Sequence, residues 1–178
     1  GNAAFLDDAD PRGLGQSQLA YHFLGGLIAH ARALTALIAP TANCYKRLSI
    51  GGYLTGVRSG FTWTPAFITY GDNNRTHMFR TPEPGRFECR VVSGAVNLYL
   101  GLAGFIAAGM DGIARKLDPG EPMIGRNMYE LALEDVRARG IRHRRARGLA
   151  IALAAHHALL VDAHHRQPEP AQAHRGPL

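Results

Sequence analysis

The segment that most constrains the fold is a 23-residue run of apolar and small residues at 95–117, AVNLYLGLAGFIAAGMDGIARKL. Its length approaches what a helix needs to cross a membrane, and its alanines and glycines are typical of close helix packing. Asn97, Asp111 and the basic pair at 115–116 argue against a membrane span. The segment therefore predicts a long buried helix of a soluble protein, ended by the Asp-Pro-Gly sequence at 118–120.

A second helix is predicted nearer the start of the chain. Ser17 is a suitable N-cap, and Pro40 stops the pattern. The apolar residues that recur at about four-residue spacing are Leu19, Phe23, Leu27, Ala31 and Leu34. His22 and His30 lie on or beside this helix, and we interpret them as ordinary helix histidines rather than ligands.

Residues 45–92 change in character, because aromatic, threonine and glycine residues alternate with turn residues. The segments FITYG, THMFR and RFECRVV are predicted to be short strands. The fold class is therefore α+β, with a mixed or antiparallel sheet and flanking helices. Cys44 and Cys89 are far apart in sequence and no apolar signal segment is present, so a reducing, cytoplasmic location is expected.

The net charge of +6 lies entirely in the last 42 residues. Residues 1–136 hold 12 basic and 12 acidic side chains, whereas residues 137–178 hold eight arginines and two acids. Three interpretations remain open for this Arg/Ala/His-rich tail: a basic helix with a disordered end, a nucleic-acid-binding tail, or out-of-frame translation, which we favour. We do not expect nucleic-acid binding, because no aromatic residue lies among the basic residues of the tail to stack on bases.

A charged strand is predicted at 85–90, GRFECR. Because side chains alternate along a strand, Arg86, Glu88 and Arg90 would share one face. Taken alone, this pattern is more often a structural ion-pair ladder than a site. Its meaning depends on the blocks that surround it.

Three blocks occur in order and carry a family resemblance: NCYKR at 43–47, NNRTHMFR at 73–80 and GRFECR at 85–90. They are followed by NLYL at 97–100 and by the long helix. Together they resemble the C-terminal half of a glutamine synthetase catalytic domain, over residues 10–136, so residues 1–136 are assigned as a partial domain of that kind. The TWTP element at 62–65 is similar to the branch that includes γ-glutamylmethylamide synthetases and type III-like glutamine synthetases.

The resemblance implies ATP-dependent ligation of ammonia to L-glutamate through γ-glutamyl phosphate. A γ-glutamyl-amine ligase that uses methylamine or another small amine is the first alternative, and a non-catalytic relic or assembly module of the same fold is the second. It also implies Mg²⁺ or Mn²⁺ as cofactor, ATP as a substrate, and a homo-oligomeric full-length protein. A membrane association is not expected.

The same resemblance implies roles for individual side chains. Arg47, Arg75 and Arg90 would bind glutamate. Arg75, Arg80 and Arg86 would bind the nucleotide, with Arg75 and Arg80 as catalytic groups at the phosphates. Glu88 would be a metal-binding carboxylate. Arginine suits these roles because its planar fork binds carboxylate or phosphate with two parallel hydrogen bonds.

Two departures from the family pattern limit this interpretation. No acidic residue lies between Arg47 and Asp72, where better-known glutamine synthetases carry a flap glutamate. The family's other metal ligands come from sequence upstream of the matching blocks, and one carboxylate cannot assemble a centre for a hard divalent ion. We therefore expect the chain by itself to be inactive.

Overall fold

The structure is a computed structural model that describes residues 3–48, 64–65, 67–131, 134–135 and 142–143. Of residues 46, 47, 142 and 143, it describes the backbone only. All of these residues belong to the unit 1–146, while a second unit comprises residues 147–178. Residues 62–63 of the TWTP element, and the tail at 137–178 except residues 142–143, lie outside the described residues.

The first helical pattern forms two helices, α1 (Gln18–Ala29) and α2 (Ala31–Ile38). Ser17 caps α1 as predicted, since its hydroxyl accepts a hydrogen bond from the Ala20 N–H at 3.2 Å. The prediction of one continuous helix is wrong, because His30 adopts φ −96° and ψ 5° between the two. Periodicity does not detect this bend, because the Gly26 carbonyl still accepts from the His30 N–H, and Leu27, Leu34 and Ile38 remain buried.

A third short helix, α3 (Ala42–Arg47), follows Pro40. The long helix α4 (Leu98–Ala114) begins at Asn97, whose side chain accepts from the Leu100 N–H. It ends before the predicted stop at 118–120, because Lys116 adopts a left-handed φ of 50°. The Lys116 and Leu117 N–H groups then donate to the carbonyls of Ile113 and Gly112, which closes the last turn. No helix among the described residues is long and apolar enough to cross a membrane.

Helices α1 and α4 approach each other backbone to backbone. A Cβ atom on Gly26 would lie 2.0 Å from the Ala108 carbonyl oxygen, and one on Gly112 would lie 2.2 Å from the His22 carbonyl oxygen. At this crossing only a hydrogen atom fits on either helix. The buried residues of the long helix are small, as the sequence predicts. The prediction that the whole helix is buried is wrong, because its large apolar side chains, such as Tyr99, Leu102 and Ile106, are exposed in the described structure.

The strands are β1 (Phe67–Ile68), β2 (Tyr70–Gly71), β3 (Phe79–Glu83), β4 (Arg86–Cys89) and β5 (Arg142–His143). β2 pairs with β3 in parallel and β3 with β4 antiparallel, which gives a three-stranded mixed sheet. β1 and β5 form a separate antiparallel pair. The predicted α+β class with a mixed sheet is confirmed.

The core lies between the helices and the three-stranded sheet. It joins Leu24 and Leu34 to Met78, Phe79 and Val91 in one cluster, against which Tyr45 also packs. The predicted strand THMFR is only partly a strand, because Thr76, His77 and Met78 belong to the connection that precedes β3. This connection carries the candidate site.

Replacement of Gly26 by alanine tests the close crossing of α1 and α4. The new methyl group would meet backbone atoms that cannot move independently, so we expect Gly26→Ala to destabilise the chain by about 2 kcal/mol or more in chemical denaturation. Gly104→Ala is the matched control, because its Cβ would meet only the flexible ends of Leu37 and Leu34. Its cost should stay within about 1 kcal/mol, offset by helix propensity. Equal effects of the two variants would contradict the tight crossing.

The left-handed residue at the end of α4 gives a second stability prediction. Lys116→Gly should raise the free energy of unfolding by about 0.5–1 kcal/mol, because glycine adopts a positive φ without steric cost. Lys116→Ala also removes the charged side chain but keeps the Cβ, so it should give no such gain. Thermal melts of wild type, Lys116→Gly and Lys116→Ala measure these differences in stability. An equal increase in stability from Lys116→Ala would rule out the backbone explanation.

Candidate functional site

The loop of residues 72–78 between β2 and β3 is built by short polar side chains. The Asn74 Oδ1 accepts from the Thr76 N–H and hydroxyl at 2.9 and 2.8 Å. Its Nδ2 donates to the Arg126 carbonyl, and the Met128 N–H donates to the Thr76 hydroxyl. These bonds hold the residues on either side of Arg75 against the segment 126–128, while the Arg75 side chain is exposed.

A buried histidine near the end of this loop anchors it to the residues before β2. His77 is fully buried, and its Nδ1 shares a hydrogen bond with the Thr69 hydroxyl at 3.2 Å. Burial lowers the pKa of His77, so the ring is neutral at pH 7. The neighbouring Asp72 accepts from the Gly125 N–H at 2.9 Å. The loop is therefore anchored at both its start and its end.

The centre of the site is a carboxylate between two arginines. The Arg80 Nη2 donates to the Glu88 Oε2 at 2.6 Å, and the Arg90 Nη1 donates to the Glu88 Oε1 at 2.9 Å. Arg80 and Glu88 are direct partners in the β3–β4 register, which explains the short contact. The Arg90 Nε also donates to the Arg75 carbonyl at 3.0 Å. We call Arg75, Arg80, Glu88 and Arg90 the arginine cluster.

The arginine cluster carries more positive than negative charge. The hydrogen bond from Arg80 lowers the pKa of Glu88, so this carboxylate stays ionised. Burial lowers the pKa of Arg90, Glu88 raises it, and repulsion by Arg80 and Arg75 lowers it again by less than Glu88 raises it. Two guanidiniums thus bind one carboxylate, and the exposed Arg75 adds a third positive charge nearby. Such a group leaves positive charge available for phosphate or carboxylate ligands.

The structure does not bring all predicted site residues together. Arg86 pairs with Glu83 across the hairpin turn at 2.5 Å, and both side chains are exposed. The sequence pattern placed Arg86 on the same face as Glu88, but the Glu83–Arg86 register supplies a nearer carboxylate. Arg47 is the last residue of α3, and its side chain lies outside the described part of the chain.

A divalent metal ion does not fit the described residues by themselves. Within the described ranges, no group of three or more His, Cys, Asp or Glu side chains converges. Both Glu88 oxygens already accept from arginines, which would repel a cation. Because Mg²⁺ and Mn²⁺ require several oxygen ligands, the metal role of Glu88 stays a prediction.

Three supporting residues were not predicted from the sequence: Asn73, Asn74 and Thr76. Asn73 accepts from the Arg80 Nη1 at 2.7 Å. Asparagine and threonine form local side-chain bonds in turns, and this tendency was the available signal. Their contacts with Arg80 and with residues 126–128 depend on the fold, so they cannot be predicted from the local sequence.

Comparison with known proteins identifies the family. A family model for the glutamine synthetase catalytic domain matches residues 1–156. The chain belongs to the glutamine synthetase catalytic-domain family. Its resemblance through the three arginine-bearing blocks is thereby confirmed.

Individual relatives agree with this assignment. A glutamate–methylamine ligase of Methyloversatilis universalis is 49% identical over 138 residues, which cover 78% of this chain and 30% of that protein. A glutamine synthetase of Rhizobium meliloti is 50% identical over 117 residues, covering 66% of this chain and 26% of that protein. A solved GmaS–ADP complex matches 93% of this chain and 40% of its own, with a TM-score of 0.64 and 42% identity. The chain thus spans less than half the length of these relatives.

The shifted pKa of Glu88 predicts a pH-dependent contribution to stability. The lowered pKa in the folded chain means that the contribution is present above the ordinary glutamate pKa and is lost as pH falls through the folded value. At pH 7 we expect Glu88→Gln to destabilise the chain by about 0.5–1 kcal/mol, since the pair is partly exposed. The difference from wild type should vanish as pH falls from about 5 to below 4.

Glu83→Gln is the matched control, because it removes the exposed ion pair with Arg86 on the same hairpin. Its effect at pH 7 should be below about 0.5 kcal/mol. Denaturant melts at several pH values compare the two variants. A Glu88→Gln effect that does not change with pH would show that the carboxylate charge is not its source.

Proposed function

We propose that this chain supplies the arginine-bearing part of an ATP-dependent ligase that joins ammonia or a small amine to L-glutamate through γ-glutamyl phosphate. The observation that supports it best is the arginine cluster, in which Arg80 and Arg90 share the single carboxylate of Glu88 and Arg75 adds a third positive charge. The substrates of such a ligase are ATP, which carries a triphosphate, and L-glutamate, which carries two carboxylates. Their negative charges complement the excess of positive charge in the cluster. The curated relatives include enzymes named glutamine synthetase and glutamate–methylamine ligase.

In this proposal the arginines act before and during phosphoryl transfer. Arg47, Arg75 and Arg90 bind L-glutamate. Arg75 and Arg80 contact the phosphates, and Arg86 lies along the nucleotide. Because Glu88 holds the Arg80 and Arg90 guanidiniums, and the Arg75 carbonyl also holds Arg90, these two are placed before negative charge develops on the transferring phosphoryl group.

The amine is proposed as ammonia, with methylamine as the second candidate. The glutamate–methylamine ligase and the GmaS–ADP structure favour methylamine, whereas the rhizobial relative favours ammonia. We also propose Mg²⁺ or Mn²⁺ as cofactor, a homo-oligomeric full-length protein and a cytoplasmic location. We propose that the 178-residue chain alone is inactive, because Glu88 is the one carboxylate proposed for the metal and no group of three or more His, Cys, Asp or Glu side chains converges among the described residues.

A chimeric enzyme tests the proposal. The 138-residue segment of this chain that matches the Methyloversatilis universalis ligase replaces the corresponding segment of that ligase. Phosphate release by the chimera is then measured with ATP, L-glutamate, magnesium and either ammonia or methylamine. We expect turnover, and we expect Arg90→Ala to lower kcat/KM by about 100-fold or more because it removes a preorganised donor. The ratio of kcat/KM for the two amines identifies the preferred one.

Arg115→Ala is the control, because it removes an exposed arginine that pairs with Asp111 on α4, outside the arginine cluster. Its kcat/KM should equal that of the unmodified chimera. Equal losses in the two variants would overturn the site assignment. A folded chimera without turnover would instead support the non-catalytic alternative.

A further inference from the structure

Arg80 is held at both ends of its guanidinium by acceptors of different charge. Nη2 donates to the Glu88 carboxylate at 2.6 Å, and Nη1 donates to the Asn73 amide oxygen at 2.7 Å. The Arg80 side chain is 17% exposed, whereas Asn73 is exposed. Its guanidinium is therefore fixed in the cluster by one charged and one neutral contact.

The position of Asn73 is itself determined by the sheet. The Asp72 carbonyl accepts from the Asn74 N–H at 2.7 Å and from the Thr81 N–H at 3.3 Å. Thr81 is the residue after Arg80 in β3, so the backbone next to Asn73 is tied to the backbone next to Arg80. Gly71 is also the register partner of Arg80 in β2. These two backbone links bring the Asn73 side chain within hydrogen-bond distance of the Arg80 Nη1.

The difference between amide and carboxylate matters for charge. An amide oxygen accepts a hydrogen bond and directs the guanidinium, but it adds no negative charge. A carboxylate at the same position would direct Arg80 equally well and also neutralise it. The cluster would then hold two carboxylates for three arginines instead of one, and its attraction for an anion would fall.

We propose that Asn73 is a positioning residue, which aims the Arg80 guanidinium through a neutral acceptor and so leaves its charge available to a polyphosphate ligand. This inference rests on the proposed function, since it assumes that the arginine cluster binds phosphate groups. It assigns to Asn73 an effect on ligand affinity that acts through Arg80.

Binding of inorganic triphosphate and of ADP to the 178-residue chain tests the inference. Affinities are measured by calorimetry at fixed ionic strength for wild type, Asn73→Ala and Asn73→Asp, alongside thermal melts. Asn73→Asp keeps the acceptor, so its melting temperature should equal or exceed that of wild type. Its affinity for triphosphate should nevertheless fall about tenfold or more, because a negative charge now lies beside the ligand. Asn73→Ala should lose only a few-fold, since Glu88 still holds Arg80.

Asn97→Asp is the matched control. It makes the same chemical change at the N-cap of α4, where aspartate retains the capping bond to the Leu100 N–H. Its affinity for triphosphate should stay within about twofold of wild type, because exposed charges outside the cluster are screened by salt.

The order of affinities separates the outcomes. The order wild type, Asn73→Ala, Asn73→Asp supports the inference. The order wild type, Asn73→Asp, Asn73→Ala overturns it, because a purely structural role is retained by aspartate and lost with alanine. Equal affinities for all three overturn it as well and leave the proposed function standing. Absence of triphosphate and ADP binding by the folded wild-type chain overturns the anion site itself.

Discussion

The crossing of α1 and α4 at Gly26 and Gly112 is the constraint on which the rest of the described structure depends. Because neither position has room for a Cβ atom, the two helices meet at backbone distance and their relative position along the axes is fixed. The end of α4 then lies beside α1, where the His22 Nδ1 donates to the Leu117 carbonyl at 3.1 Å. The chain leaves α4 at a defined point, next to the N-terminal loop.

That defined exit determines where the following loop meets the sheet. Arg12 donates to Asp118 at 2.6 Å and to the Tyr70 hydroxyl at 3.1 Å, and its guanidinium lies over the Tyr21 ring. The Tyr70 hydroxyl donates to the Gly120 carbonyl. Tyr70 is the first residue of β2, so the end of α4 and the start of the three-stranded sheet are joined through one arginine.

From this junction the contacts continue into the candidate site. The Met123 N–H donates to the Tyr70 carbonyl, and the next residues bind Asp72, Asn74 and Thr76 in turn. A segment that follows a helix thus supports the loop that carries Arg75. Groups that must hold a charged side chain within a fraction of an ångström need such support from rigid elements. A continuous series of contacts therefore links the helix crossing to the arginine cluster.

The sequence predicted the parts of this arrangement that depend on local signals. The helix cap at Ser17 depends on one side chain and a nearby N–H group, so it could be recognised from residue type and position. The bend at His30 and the left-handed Lys116 could not, because tertiary packing selects them against local preference. The pairing of Arg86 with Glu83, rather than with Glu88, likewise depends on hairpin register. Alternation along one strand carries no information about that register.

The arginine cluster also shows why such a site must be supported from outside. Burial lowers the pKa of Arg90, and repulsion by Arg80 and Arg75 acts in the same direction, but the attraction of Glu88 is larger than this repulsion. A cluster that neutralised all its arginines would be more stable and would have less charge to offer a ligand. Asn73 accepts from Arg80, while Asn74 and Thr76 bond to each other and to residues 126–128. None of these side chains adds negative charge, so they order the loop and leave the excess of arginines over carboxylates unchanged. Neutral hydrogen bonds therefore allow a rigid loop to carry an excess of positive charge.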